Sequence, residues 1–222
     1  MKNTFKTAMI LAAGRGERMR PLTDITPKPL LMAGGKRLIE WQIAALVQAR
    51  VQRIVINHAW LGEQFERCLG DGGRYGCELL YSTETTALET AGGIAHALPL
   101  LGAAPVIVVS GDIYTTFDYS KLPTDLNGLA AHLVLVANPA YNPQGDMGLH
   151  SGQVIPNAPV KLTYANIAVL DPALFSGLDP NATLKLFPWL YQQGRISGEL
   201  STATWHNVGT PKQLAELNAG LA

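Results

Sequence analysis

The chain is 222 residues long, 47% hydrophobic and only 15% charged, which is enough apolar material for one substantial core in a single domain spanning residues 1–222. Its 17 basic and 17 acidic side chains cancel to a net charge of zero, so no global positive field draws it to nucleic acid or to an anionic membrane surface. No apolar run approaches the roughly 18 residues of a spanning helix, and Cys68 and Cys77 are too few for a disulfide scaffold, so a reducing cytoplasm is the expected compartment.

The opening segment looks superficially like a secretory signal, but its apolar stretch from Ala8 to Ala13 runs straight into Arg15, Glu17 and Arg18. It reads as a buried strand, Thr7–Ala12. Further strands are predicted at Arg53–Asn57, Glu78–Ser82, Val106–Ser110, His132–Ala137, Asn166–Leu170 and Thr204–Val208. Between the first two, Ile39, Ile43, Leu46 and Val47 fall at helical spacing, and Leu61, Phe65, Cys68 and Leu69 do so before Gly70. A third helix is expected to start near Thr90, and a last one follows Thr210 as N-cap and Pro211 at the first helical position. Strands alternating with helices predict an α/β fold, a mostly parallel sheet with helices on both faces. From Asn138 to Val160, closely spaced prolines and glycines break any period and predict a loop-rich excursion with room for a small hairpin.

Leu11–Leu30, LAAGRGERMRPLTDITPKPL, carries the most chemical information. A predicted strand empties through Leu11, Ala12 and Ala13 into Gly14-Arg15-Gly16, where two glycines permit positive φ and let backbone N–H groups turn toward an anion. Arg18 and Arg20 follow, and Lys28 is presented between Pro27 and Pro29, which stiffen its loop. Glycine backbone, an Arg fork and a held Lys form a cradle for a polyphosphate. The common phosphate loops do not fit: a dinucleotide fingerprint needs glycine where Met19 stands, and GxxxxGK[ST] is absent. Farther on, a hydrophobic strand ends in Ser110-Gly111-Asp112, a carboxylate suited either to holding a hard cation or to capping a turn.

The stretch from residue 11 to 23 and the PKPL element at 27–30 match the signature of the sugar-1-phosphate nucleotidyltransferases, which the chain resembles over nearly its whole length. The resemblance continues through Leu88-Glu89-Thr90-Ala91-Gly92-Gly93, Ser110-Gly111-Asp112 and Val208-Gly209-Thr210. Within that family, Asn57-His58-Ala59-Trp60-Leu61-Gly62, LETAGG and the short length look most like the N-acetylmuramic acid 1-phosphate uridylyltransferases of cell-wall recycling. The resemblance implies a Rossmann-like nucleotide-diphospho-sugar transferase domain, UTP and a sugar 1-phosphate as substrates, and Mg²⁺ as cofactor. It implies catalytic roles for Arg18, Lys28 and Asp112, with Asp112 and Asn207 as metal ligands. Asn207 is a departure, since the family has Asp at that position and an amide oxygen brings no charge. Nucleotide contacts are expected from Leu11, Ala12, Ala13, Gly14, Gly16, Arg18 and Lys28. Glu84 maps to the base-reading position, where a carboxylate could accept the N3–H of uracil or thymine but would repel the lone pair of cytosine; Glu89 and Thr90 lie near the base. The alternative is that Glu84 and Glu89 are exposed loop acids.

Ser110, Asp146, Lys161 and Asn166 are candidate contacts to the sugar phosphate, against a turn-stabilising role for Asp146. His58 beside Trp60 reads as a packed residue, with no nucleophilic Ser or Cys placed for it to activate. The alternatives are a glucose- or mannose-1-phosphate nucleotidyltransferase using dTTP or GTP, and a non-catalytic nucleotide-sugar-binding domain.

Overall fold

The computed structural model describes residues 4–221. β1 (Thr7–Leu11) is followed by a hairpin of β2 (Met32–Ala33) and β3 (Lys36–Arg37) and by α1 (Leu38–Gln48). β4 (Arg53–His58), α2 (Glu63–Leu69), β5 (Glu78–Thr83) and α3 (Glu89–Leu101) lead to β6 (Val106–Ser110). Then come β7 (Ile113–Thr115), β8 (Ala131–Val136), a second hairpin of β9 (Gly148–His150) and β10 (Gln153–Ile155), and β11 (Thr163–Leu170). α4 (Leu186–Gln193), β12 (Ile196–Leu200), β13 (Trp205–Asn207) and α5 (Pro211–Leu221) complete the series.

Nine of these strands form one sheet in the order β5-β4-β1-β6-β11-β8-β12-β10-β9. β5, β4, β1 and β6 are mutually parallel, as strands joined through crossover helices must be. β11 then runs antiparallel to both β6 and β8, which makes the sheet mixed. The physical reason is the connection: the excursion between β8 and β11 contains a hairpin and no helix to carry the chain back across the sheet.

Successive side chains of β1 point to opposite faces. Ala8 and Ile10 join a core with Ile39, Ile43 and Phe65 of α1 and α2, while Met9 joins another with Ile94 of α3 and Leu190 of α4. Helices thus cover both faces, as expected. A third, smaller cluster packs Leu214 and Leu217 of α5 and Val208 against Met19, Leu31 and Leu38, binding the end of the described chain to the loop that follows β1. The predicted cap of α5 is present: Thr210 Oγ1 accepts from the Gln213 N–H at 3.3 Å.

Three features depart from the periodicity reading. β13 pairs antiparallel with β7 and stands outside the main sheet. α4 begins Leu-Phe-Pro, and the proline in its first turn hides the helical stripe of Leu186 and Leu190. β12 is masked by Gly198, a position where an added Cβ would lie 3.0 Å from the Leu133 carbonyl oxygen.

Candidate active site

Pairing aligns the carboxyl ends of the central strands, with Asn57 opposite Leu11 and Leu11 opposite Ser110. The chain reaches β4 on one side of β1 and β6 on the other, so the crevice above β1 is a topological switch point, where open α/β sheets bind ligands. A cavity of about 340 Å³ opens there, lined by Leu11, Ala13, Gly14, Asn57, Glu89, Thr90, Ser110 and Asp112 among others. A second, of about 260 Å³, shares Leu11, Glu89, Thr90 and Ser110 with it and extends over Tyr164, Asn166, Lys185 and Phe187.

The loop after β1 is pinned at several points. Arg15 donates from Nη1 to the Thr23 carbonyl oxygen at 2.7 Å and from Nη2 to Asp24 Oδ1 at 3.0 Å. Its guanidinium also lies 3.9 Å from the Trp60 ring centroid, and Trp60 Nε1 donates to the same Thr23 oxygen at 3.0 Å. Of the two glycines, only Gly16 is left-handed, at φ 68, and an added Cβ there would press on Thr23 and Lys28 at 3.1 and 3.2 Å. Gly14 keeps an ordinary φ, contrary to expectation. Its role is openness: no atom lies within 4 Å of its Cβ position, so bare backbone faces the cavity.

Lys28 and Asp112 form an ion pair through Nζ and Oδ2, both largely buried. The β7–β13 ladder sets Asn207 opposite Ile113, and the Val208 N–H donates to the Asp112 carbonyl oxygen at 3.0 Å, so the backbones of Asp112 and Asn207 lie side by side. Arg18 lies against the next residue, its Nη2 being 3.3 Å from the Cβ position of Gly209, and it is exposed with no ion-pair partner among the described residues. Asp112 and Asn207 are oxygen donors, which suits a hard divalent cation. Among the described residues no three His, Cys, Asp or Glu side chains converge, so a cation here would complete its shell with oxygens that substrate brings.

Glu84 does not occupy the expected base-reading role. It is buried behind the cavity wall, 2% exposed. Its Oε1 accepts from Asn57 Nδ2 at 2.6 Å and its Oε2 from the Leu88 N–H at 2.9 Å, while Asn57 Oδ1 accepts from the Ala12 N–H at 2.9 Å. One buried polar chain therefore joins the start of the loop after β1, the end of β4 and the entrance to α3. Gly93 makes room for it, since a Cβ there would stand 2.7 Å from Glu84 Oε1 and 2.8 Å from Asn57 Nδ2. Glu89 is exposed at the cavity with φ 62, a backbone region that non-glycine residues seldom occupy and that gathers at functional sites.

On the far side, Asn166 lines the second cavity at φ 58, within a register shift between Tyr164 and Ala168 of β11. Asn tolerates this conformation, and the irregularity re-aims the strand beside the site. Asp146 takes the turn-stabilising role: Oδ2 accepts from the Tyr164 N–H at 2.9 Å and Oδ1 from Asn142 Nδ2 at 3.1 Å, fastening the excursion to β11. Lys161 lies between β10 and β11 and is absent from the lining of both cavities. His58 is packed, as read, stacked on Phe65 with centroids 5.6 Å apart and with Nδ1 unpartnered; burial lowers its pKa below the ordinary 6.5, against the opposing pull of Glu66 and Glu63.

The family model described as "Nucleotidyl transferase" matches residues 7–149, which include the glycine loop, Lys28 and Asp112. The chain belongs to the nucleotidyl transferase family. It is 48% identical over 231 residues to the N-acetylmuramate alpha-1-phosphate uridylyltransferase of Neisseria meningitidis serogroup B, covering 96% of both chains. To the enzyme of the same name from Caulobacter vibrioides it is 32% identical, covering 100% of this chain and 99% of the other. The inositol-1-phosphate CTP transferase of T. maritima shares the fold at a TM-score of 0.80 and 15% identity, covering 100% of this chain and 98% of that structure.

In this nucleotidyltransferase, four site-side residues escape sequence reading. Asn57 carries the polar chain described above, and Tyr141 lies against Asn207, its phenol pKa raised by burial and by Asp146 and Asp112, although Asn207 and Arg18 pull it down. Thr183 and Lys185 line the two cavities from the segment before α4. Only the Leu186–Leu190 spacing could have flagged that segment.

Proposed function

We propose that the enzyme transfers a uridylyl group from UTP to N-acetylmuramic acid 1-phosphate, releasing pyrophosphate and yielding the UDP-sugar, as a cytoplasmic step in the recycling of cell-wall sugars. The observation that carries the reading is the Lys28–Asp112 ion pair at the carboxyl end of β6, beside the bare Gly14 backbone and the unpaired Arg18. UTP and the muramic sugar are chosen because the Neisseria and Caulobacter relatives carry those names.

The triphosphate rests on the glycine loop, and the sugar phosphate occupies the adjoining cavity beside Ser110 and Asn166. A phosphate oxygen of the sugar 1-phosphate attacks the α-phosphorus, the bond to the β,γ unit breaks, and pyrophosphate leaves with the electron pair. The nucleophile is already anionic at neutral pH, so the site offers cations rather than an acid–base pair. Lys28 exchanges its carboxylate partner for the α-phosphate and the incoming phosphate, and Arg18 neutralises the departing pyrophosphate. Asp112 and Asn207 would hold Mg²⁺, which supplies Lewis-acid neutralisation of phosphate charge when bound. Glu84, through Asn57, keeps the loop backbone in register with the entrance of α3.

The test is pyrophosphate release in the presence of Mg²⁺, crossing UTP, dTTP, GTP and CTP with the 1-phosphates of N-acetylmuramic acid, N-acetylglucosamine, glucose and mannose. The expected result is preferential turnover of UTP with the muramic sugar. Preference for another pair would overturn the substrate assignment.

A further inference from the structure

We propose that Lys185 is the specificity-determining residue that recognises a carboxylate carried by the sugar of the acceptor substrate. This rests on the function proposed above, whose sugar differs from its neutral N-acetylhexosamine counterpart by a lactyl ether ending in a carboxylate.

The second cavity presents aromatic surface from Tyr164 and Phe187, polar groups from Asn166 and Ser110, and two charges, the carboxylate of Glu89 and the ammonium of Lys185. An anionic substituent entering there is repelled by Glu89 and attracted by Lys185. Lys185 has no ion-pair partner among the described residues; of the cations in the loop after β1, Lys28 is paired with Asp112, and Arg18, which also has no ion-pair partner among the described residues, lies against Gly209 and lines neither cavity. The side chain is exposed, but the backbone that carries it is fixed. The Leu184 carbonyl oxygen accepts from the Ala91 and Gly92 N–H groups at 2.9 and 3.2 Å, and the Leu184 N–H donates to the Leu88 oxygen at 3.0 Å. Gly92 permits that approach, because a Cβ there would meet the Ala182 carbonyl oxygen at 2.1 Å. The glycine of LETAGG thus holds the segment carrying Lys185 against the residues that floor the cavity. A charge placed in this way discriminates between substrates by pairing with one and having nothing to pair with on the other.

The experiment compares kcat and KM for N-acetylmuramic acid 1-phosphate and N-acetylglucosamine 1-phosphate, at saturating UTP and Mg²⁺, in the wild type, Lys185→Gln and Lys185→Arg. The proposal expects Lys185→Gln to lower kcat/KM for the muramic substrate about tenfold, mainly through KM and less so at high salt, with the glucosamine substrate unaffected and Lys185→Arg restoring most of the loss. An equal effect on both substrates, or none on either, overturns the role of Lys185 while leaving the function standing. A wild-type enzyme that turns over the glucosamine substrate and not the muramic one overturns the function itself, and the proposal with it.

Discussion

Lys28 and Asp112 neutralise each other across a contact that an incoming phosphate and cation would have to replace. Glu84 is the buried residue that ties the loop after β1 to β4 and to the entrance of α3. Two donors, Asn57 Nδ2 and the Leu88 N–H, converge on its two oxygens in a site closed to water. Glu84→Gln preserves shape but turns one acceptor into a donor, leaving a buried donor facing a donor. Such a mismatch costs about 1–3 kcal/mol. The denaturation midpoint should fall accordingly, and kcat should drop while the KM for UTP changes less, since the loop is displaced rather than stripped of its cations. A variant with wild-type stability would show that the polar chain is not needed to hold the loop.

At the scale of elements, α5 contributes no side chain to either cavity lining, yet it closes the small core that carries Met19, Leu31 and Val208. Through that core it fixes the segment bearing Asn207 and Gly209 against the turn that bears Arg18. Leu217→Ala, at a side chain 3% exposed, should cost about 2–5 kcal/mol, as buried leucine truncations do. Below the melting temperature the variant should also turn over more slowly, although no residue touching substrate has changed. Unaltered kcat in a measurably destabilised variant would separate α5 from the site. β11 makes the complementary case: Asn166 sits in its irregular stretch between Tyr164 and Ala168 and lines the second cavity, while Ala165 and Ile167 on either side of it enter the core beneath α1 and α2.

For the whole molecule, His58 links stability to pH. Its folded-state pKa lies below 6.5, so the neutral form is the one that folding favours. Its contribution is therefore complete above pH 6.5, where both states are neutral. As pH falls below 6.5 the unfolded chain binds the proton first, and stability is lost down to the lower folded-state value. Urea denaturation midpoints should decline between pH 7.5 and pH 5.5, and NMR titration of His58 should report the depressed pKa; a value above 6.5 would contradict the packing. The parallel half of the sheet and the family signature in the loop after β1 are legible in the sequence because β-rich runs, helical stripes and the glycine–arginine–lysine order are local patterns. The rest depends on contacts distant in sequence. Glu84 looks like a base reader until Asn57, 27 residues away, is seen to occupy its Oε1. Lys185 follows a segment without period, and Asp146 turns from sugar contact to loop fastener because Tyr164 of β11 offers it an N–H. The cations of the loop after β1 are proposed to act on phosphate, and Arg18→Ala tests that role most directly. Arg18 is exposed and has no ion-pair partner among the described residues, so the variant should melt with the wild type, while single-turnover formation of the nucleotide sugar should slow by about 10²–10³. A correctly folded variant with near-normal turnover would contradict the account.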